Sequence, residues 1–179
     1  MKEVSIEQVE ELWAPPERVQ LVTSADESGK GNIIAVGWAM RANSSPPVYG
    51  IGLGRKSHSC ANIAASGEFV FALPGTDLAP QVMYCGTHSG RSVDKFAETG
   101  LTPRPASKVK APLIAECLAN FECRVVATQD IGDHRVYFGE VVACWQGEAA
   151  HPHLLVVGPQ AGYDQVLEEG SFRLGAVRG

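Results

Sequence analysis

The 179-residue sequence is informative first for what it lacks. It has no basic excess: the formal net charge is −5, and a non-specific nucleic-acid surface would carry a surplus of lysine and arginine. It has no apolar run approaching about 18 residues, so no membrane span is expected. Its first residues, Met1-Lys2-Glu3-Val4-Ser5-Ile6-Glu7, have neither the basic start nor the apolar stretch of a secretory signal. Five cysteines are present, at positions 60, 85, 117, 123 and 144. The number is odd and no two form Cys-x-x-Cys, so neither a disulfide framework nor a zinc site is indicated. Reduced, mostly buried thiols are the plain reading, and a cytoplasmic location is expected. His151-Pro152-His153 brings two imidazoles together, but no third ligand stands at a sensible spacing. Gly-x-Ser-x-Gly, a Walker lysine loop and His-Glu-x-x-His are all missing. Gly50-Ile51-Gly52-Leu53-Gly54 does not fit the dinucleotide fingerprint. No self-contained hydrolytic machinery is visible; if the chain is an enzyme, its chemistry belongs to a bound cofactor.

What is present reads as a soluble globular chain, 45% hydrophobic and 20% charged, and as one domain over residues 1–179 with a core near 16–158. Residues 5–13 have an amphipathic helical pattern ended by Pro15-Pro16. Strands are expected at 19–24, along the apolar run Asn32–Met40, at 48–53 and at 69–73. Two long strands are expected either side of Gln129–Asp133, forming a hairpin, and a last short strand at 154–157. In the 48–53 strand Gly50 and Gly52 share a face, which lets another group approach the backbone. Short helices fit at 58–65, 77–84 and 92–98, and 102–112 reads as a loop. Six or seven strands with small helical inserts make a mainly β barrel; a doubly wound sheet would need regular helices between strands.

Candidate chemistry sits in a few places. Arg55-Lys56-Ser57-His58-Ser59 precedes a helix, where basic side chains, hydroxyls and free N–H groups form either an anion site or an N-capped helix with solvated charges. Lys95 opens another short helix and is either solvated or a phosphate partner. His134 follows Gly132-Asp133 at the hairpin turn, either exposed or a ligand contact. Trp38 lies in an apolar strand, where core packing is the default, and Asn32 opens that strand beside Gly31, where a turn role is the plain alternative.

Together several segments resemble the flavin reductase-like family of FMN-binding split barrels, its flavoredoxin branch in particular. They are Val19–Thr23, Asn32–Trp38 with Pro46-Pro47, Ala64–Val70, Cys85-Gly86-Thr87-His88-Ser89-Gly90-Arg91-Ser92-Val93-Asp94-Lys95-Phe96, Gly100–Pro103, Lys108–Cys117, and Gly132-Asp133-His134 with Gly139–Val142. The set spans about residues 16–145 in the family's order, and it is the ordered set that is specific.

The resemblance implies a six-stranded split barrel that dimerises and holds FMN in a groove between subunits. Asn32 and Trp38 would then contact the flavin, and the backbone of Ala39 and Met40 would line its ring. Ser59 would bind on the phosphate side, with Lys95 as cationic partner. His134 would close the site near the nicotinamide donor. An aromatic of the C-terminal segment 159–179 would complete the pocket: Phe172, with Tyr163 as a rival. The sequence departs from the pattern at Met40-Arg41-Ala42-Asn43, around Ser59, and from Ala161 to Gly170. The implied function is an FMN-dependent oxidoreductase passing electrons from NAD(P)H, or from a redox partner protein, to flavin, ferric iron or a protein acceptor. An electron carrier without a nicotinamide site, or a barrel that binds no flavin, are the alternatives.

Overall fold

The computed structural model describes residues 2–9, 16–148, 151–157, 163–170 and 172–177. Strands dominate. In chain order they are β1 (Glu17–Arg18), β2 (Gln20–Ala25), β3 (Gly31–Val36), β4 (Ala39–Ser44), β5 (Pro47–Gly54), β6 (Glu68–Leu73), β7 (Pro103–Arg104), β8 (Leu113–Ile114), β9 (Ala119–Ile131), β10 (His134–Gln146), β11 (Leu155–Val156), β12 (Tyr163–Glu169) and β13 (Phe172–Val177). Among the described residues three α-helices interrupt them: α1 (His58–Ser66), α2 (Ala79–Thr87) and α3 (Lys95–Thr99).

Seven strands form one antiparallel sheet in the order β3-β2-β6-β9-β10-β5-β4. Its edge strands, β3 and β4, are joined by only Gly37 and Trp38, so the chain itself draws the two edges together and the sheet curls into a barrel. The sheet has seven strands, within the six or seven that the sequence pattern leads one to expect. The single strand expected over Asn32–Met40 is divided at this corner. β3 pairs with β2 and β4 with β5, and no straight strand can serve both partners. The corner is held by Ala39 N–H donating to Gly37 O (2.8 Å) and Gly52 N–H donating to Trp38 O (2.8 Å).

Alternation along β2 shows how the sheet separates two cores. Leu21 packs outward against Val82 and Met83 of α2, and Val22 packs inward with Ile51, Phe69, Phe71 and Tyr137. Helix α1 plugs one end of the barrel. Its Cys60 and Ile63 join the interior cluster, Tyr137 Oη donates to Cys60 O (2.8 Å), and Asn62 Nδ2 donates to Ser24 Oγ (3.3 Å). The helix begins where expected because Ser57 Oγ accepts from Cys60 N–H, and it stops at Gly67 in the left-handed region.

A second sheet, β1-β11-β13-β12, lies beside the barrel. The strand expected at 154–157 is thus not the last: the β12–β13 hairpin follows it, over residues where the family pattern is not matched. The 102–112 loop is bracketed by the short β7–β8 pairing. A fully buried carboxylate, Glu122 on β9, accepts from the Ser107, Lys108 and Val109 N–H groups and from Trp145 Nε1, pinning that loop to the barrel. Burial alone would raise its pKa, but these donors together hold it below the usual carboxylate value. The β9–β10 turn is tighter than expected, just Gly132–Asp133, because Ile131 pairs directly with His134. The helix expected at 5–13 is a single 3-10 turn, Ile6–Gln8, and residues 10–15 lie outside the described residues.

Candidate functional site

Two cavities meet beside the Gly37–Trp38 corner. One is a basic cradle of about 280 Å³ between the N-terminus of α1 and the segment Gly86–Arg91 that follows α2. The other is an apolar cleft of about 400 Å³, floored by Ile34, Ala35 and Val36 of β3 and walled by Val82, Met83, Val156 and Leu174. Ile34 and Gly86 line both, so the two are continuous.

The cradle is built from groups already held in place. Asn32 Nδ2 donates to Ser59 Oγ (2.7 Å), which leaves the Ser59 hydroxyl proton free to donate; both residues are buried. Arg91 Nη1 donates to Lys56 O (2.7 Å), tying the segment after α2 to the start of α1. Gly90 is required by close approach, since a Cβ there would overlap Asn32 Oδ1. Lys95 is only 4% exposed and donates to Cys85 O (2.7 Å). Burial lowers its pKa and raises that of the Cys85 thiol to about 11. His58 is depressed too, first by burial and then by Arg91, with Lys95 and Lys30 adding to it against Asp26. Among the described residues the cradle is lined by Lys56, His58, Arg91 and Lys95 and by no carboxylate.

The cleft has exposed aromatic lips. Trp38 is 60% exposed, not a core residue, and its ring meets the His134 imidazole at 4.7 Å with the planes tilted by 45°. His134 Nδ1 lies 2.8 Å from Asp133 Oδ1. Phe172 of β13 lines the same cleft, 49% exposed. The Tyr163 side chain lies outside the described residues.

The structure thus brings Asn32, Ser59 and Lys95 together in the cradle, and Trp38, His134 and Phe172 together around the cleft. It does not bring Ala39 and Met40 to either cavity. They line a separate groove of about 640 Å³ on the outer face of β4, β5 and β10, which reaches the cleft only across Trp38, Gly52 and His134. The glycine face of β5 has its explanation here: Trp38 lies against Gly52 and Met40 against Gly50. Sequence reasoning missed Arg91 as a separate candidate, though it stands in the small-residue turn Ser89-Gly90-Arg91-Ser92. It also missed Glu17, which reaches the cleft from β1 and whose pKa burial raises.

Among the described residues there is no cluster of acidic, His and Cys side chains suited to a metal, and no helix is long and apolar enough to cross a membrane. The site is thus a basic cradle that opens into an apolar cleft on an antiparallel barrel. Comparison with known proteins shows the family. Residues 14–163 match the flavin reductase like domain family, and the chain belongs to it. An uncharacterized protein of Archaeoglobus fulgidus is 37% identical over 134 residues, covering 75% of each chain. The crystal structure of flavoredoxin from Methanosarcina acetivorans is 32% identical with a TM-score of 0.73, over 80% of this chain and 81% of that one. Flavoredoxin of Desulfovibrio vulgaris (Miyazaki F), 24% identical, shares the fold over 100% of this chain and 94% of its own, with a TM-score of 0.78. The chain is accordingly a flavin-related oxidoreductase of the split-barrel type.

Proposed function

We propose that the chain binds FMN, phosphate in the cradle and ring in the cleft, and that it accepts electrons from NAD(P)H. The observation that carries this reading is the continuity of the two cavities through Ile34 and Gly86. The residues fit the group. A buried ammonium has three donors, and Lys95 spends only one on Cys85 O. With Arg91, the Ser59 hydroxyl and the free N–H groups opening α1, it forms a donor set suited to a phosphate dianion. The apolar cleft floor suits a flat heteroaromatic ring.

When bound, FMN supplies the redox chemistry, accepting an electron pair and releasing it singly or together. The protein binds, orients and shields. Asn32 lines the cradle and keeps Ser59 oriented. Ile34, Met83 and Leu174 exclude water from the ring's environment. Trp38, His134 and Phe172 stand at the open side, where a nicotinamide would stack. His134 is held by Asp133 and positions the donor; no general acid or base is required of it. The exposed apolar Trp38, Met40 and Ile131 suit a homodimer in which a second copy covers the open side. The electron acceptor is flavin, ferric iron or a partner protein.

The test is an absorbance spectrum of the protein purified with added FMN, then mixed anaerobically with NADH or NADPH. Flavin bands that co-purify and bleach support the whole reading. Bands that persist leave an electron carrier reduced by another protein. A colourless protein overturns the site. A His134→Ala variant with full FMN affinity and normal NAD(P)H kinetics would remove the role given to that residue.

A further inference from the structure

The second sheet sets one charged residue against the cleft. Its pairing puts Glu17 of β1 directly opposite Val156 of β11, and Val156 opposite Leu174 of β13. Directly opposed residues of a sheet share a face, and all three line the cleft. A carboxylate thus stands at the end of an otherwise aliphatic row. Its neighbour Arg18 lies opposite Leu155, in the next row, which alternation turns to the other face. Glu17 is half-buried, and among the described residues it has no ion pair and no side-chain hydrogen bond. Gly37, at the corner, keeps its space open: a Cβ there would lie 3.1 Å from Glu17 Oε2. A carboxylate without a partner in an apolar wall is unfavourable, and its position calls for an explanation. Burial raises its pKa. Among the described residues that line the cleft, Glu17 and His134 alone titrate. Arg18 and Arg41 line a separate cavity of about 420 Å³ at the barrel mouth, which adjoins the cleft across Glu17, Gly37 and Trp38.

Resting on the reading that FMN occupies the cleft, we propose that Glu17 sets the electron affinity of the flavin: its carboxylate opposes the negative charge that reduction brings, and it takes up a proton as that charge arrives. The step balances. The donor gives a hydride, two electrons and one proton, and is oxidised. The flavin is reduced and gains one negative charge. A second proton, from water, goes to a carboxylate oxygen of Glu17. Across the apolar lining the two charges are poorly screened, so the carboxylate weakens the binding of reduced FMN and leaves the neutral oxidised ring little affected. The potential is held low while Glu17 is ionised and is released as falling pH neutralises it. His134, the other titrating group of the cleft, adds the opposite charge when protonated, and Arg18 and Arg41 act from across the corner. None of these changes when Glu17 alone is replaced, so comparison with Glu17→Gln isolates the carboxylate.

The test is the midpoint potential of the FMN-loaded full chain, measured by anaerobic reductive titration against a reference dye between about pH 5 and about pH 8. Three proteins are compared: the unaltered chain, Glu17→Gln and Glu17→Asp. Near the upper limit Glu17 is ionised in both redox states. There Glu17→Gln should bind reduced FMN, relative to oxidised FMN, about tenfold more tightly than the unaltered chain, a potential higher by about 30 mV. The gap should shrink steadily toward about pH 5, because the unaltered protein takes up an extra proton on reduction and the variant does not. Glu17→Asp keeps the charge one methylene farther back and should fall between the two, with the same pH dependence. Affinity for oxidised FMN should change less than about threefold in either variant, which also shows that both fold. Equal potentials near pH 8, a gap that does not shrink as the pH falls, or a Glu17→Gln protein that no longer holds FMN would each overturn the proposal while the flavin reading stands. An unaltered chain that takes up no FMN would overturn both.

Discussion

The cradle and the cleft meet at two residues yet are made in opposite ways. Three of the cradle's side chains are tied to something else: Asn32 to Ser59, Arg91 to Lys56 O, Lys95 to Cys85 O. The cleft floor is buried or half-buried, but its lips are looser: Trp38 and Phe172 are exposed and His134 is half-buried, meeting Trp38 ring to ring and Asp133 by one hydrogen bond. The ordering cost of the cradle is met in folding, so an anion binds to donors already in position. The lips keep their freedom and can adapt to a donor molecule or a partner surface. Affinity should therefore reside in the cradle, and partner choice at the lips.

Lys95→Met tests that division most severely. It removes a buried charge aimed at the cradle while keeping the length of the side chain. A charge-assisted hydrogen bond contributes about 1.5–3 kcal/mol, so FMN affinity should fall roughly ten- to a hundredfold in a fluorescence-quenching titration. The unfolding temperature should fall little, since a desolvated cation has also been removed. Unchanged affinity would mean that the phosphate lies elsewhere. Gly90→Ala comes next. The added methyl must displace Asn32, breaking its bond to Ser59. Overpacking of this kind costs about 1–3 kcal/mol, and FMN affinity should drop about tenfold with it. A fully stable variant of normal affinity would show that the cradle adapts as readily as the lips do.

The pH dependence of binding sharpens the comparison further. In the free protein His58 is depressed below its ordinary 6.5 by burial and by Arg91, so it is neutral at pH 7. A phosphate dianion in the cradle would raise it. A group whose pKa rises on binding takes up a proton. Its contribution is complete below the free-protein pKa and is lost as pH rises through the bound-state pKa. The phosphate's own second ionisation lies near pH 6. Above that, from about pH 6.5 to 8, FMN affinity should decline several-fold, and His58→Gln should flatten the decline. A rising affinity over that window would contradict the assignment.

The difference between the two regions also decides what could be read from the sequence. The helix starts that frame the cradle were legible. Ser57-His58-Ser59 opens a helix with a hydroxyl cap, and Lys95 follows an Asp94 whose side chain accepts from the Phe96 and Ala97 N–H groups. These are local patterns with local consequences. The strands of the barrel were legible for the same reason, because their alternation is local. The cleft was harder. Its wall comes from β1, β3, α2, β11 and β13, which meet only in three dimensions. Trp38 looked like core because its neighbours Val36 and Ala39 are apolar; the corner at Gly37 turns its ring outward, and that corner depends on β4 pairing with β5. The backbone of Ala39 and Met40 was expected beside the ring through the family pattern; past the corner both residues line the outer groove and the cavity at the barrel mouth. The β12–β13 hairpin had no strong alternation and did not match the family pattern; its partner β11 is only two residues long.

The smallest effect should come from the lips, and its smallness is the point. Phe172 is half exposed and meets the cleft at its open side, with no cradle contact. Phe172→Leu keeps an apolar group there and removes only part of a stacking surface, an effect of about 0.5–1 kcal/mol. FMN affinity should change less than about fivefold. The rate of reduction should move differently for NADH and NADPH, or for a protein donor, because the surface they would touch has changed shape. Equal changes in affinity and in the rate with every donor would mean that Phe172 grips the flavin as the cradle does. The lips would then belong to the binding half of the site, and the division drawn between the two regions would fail.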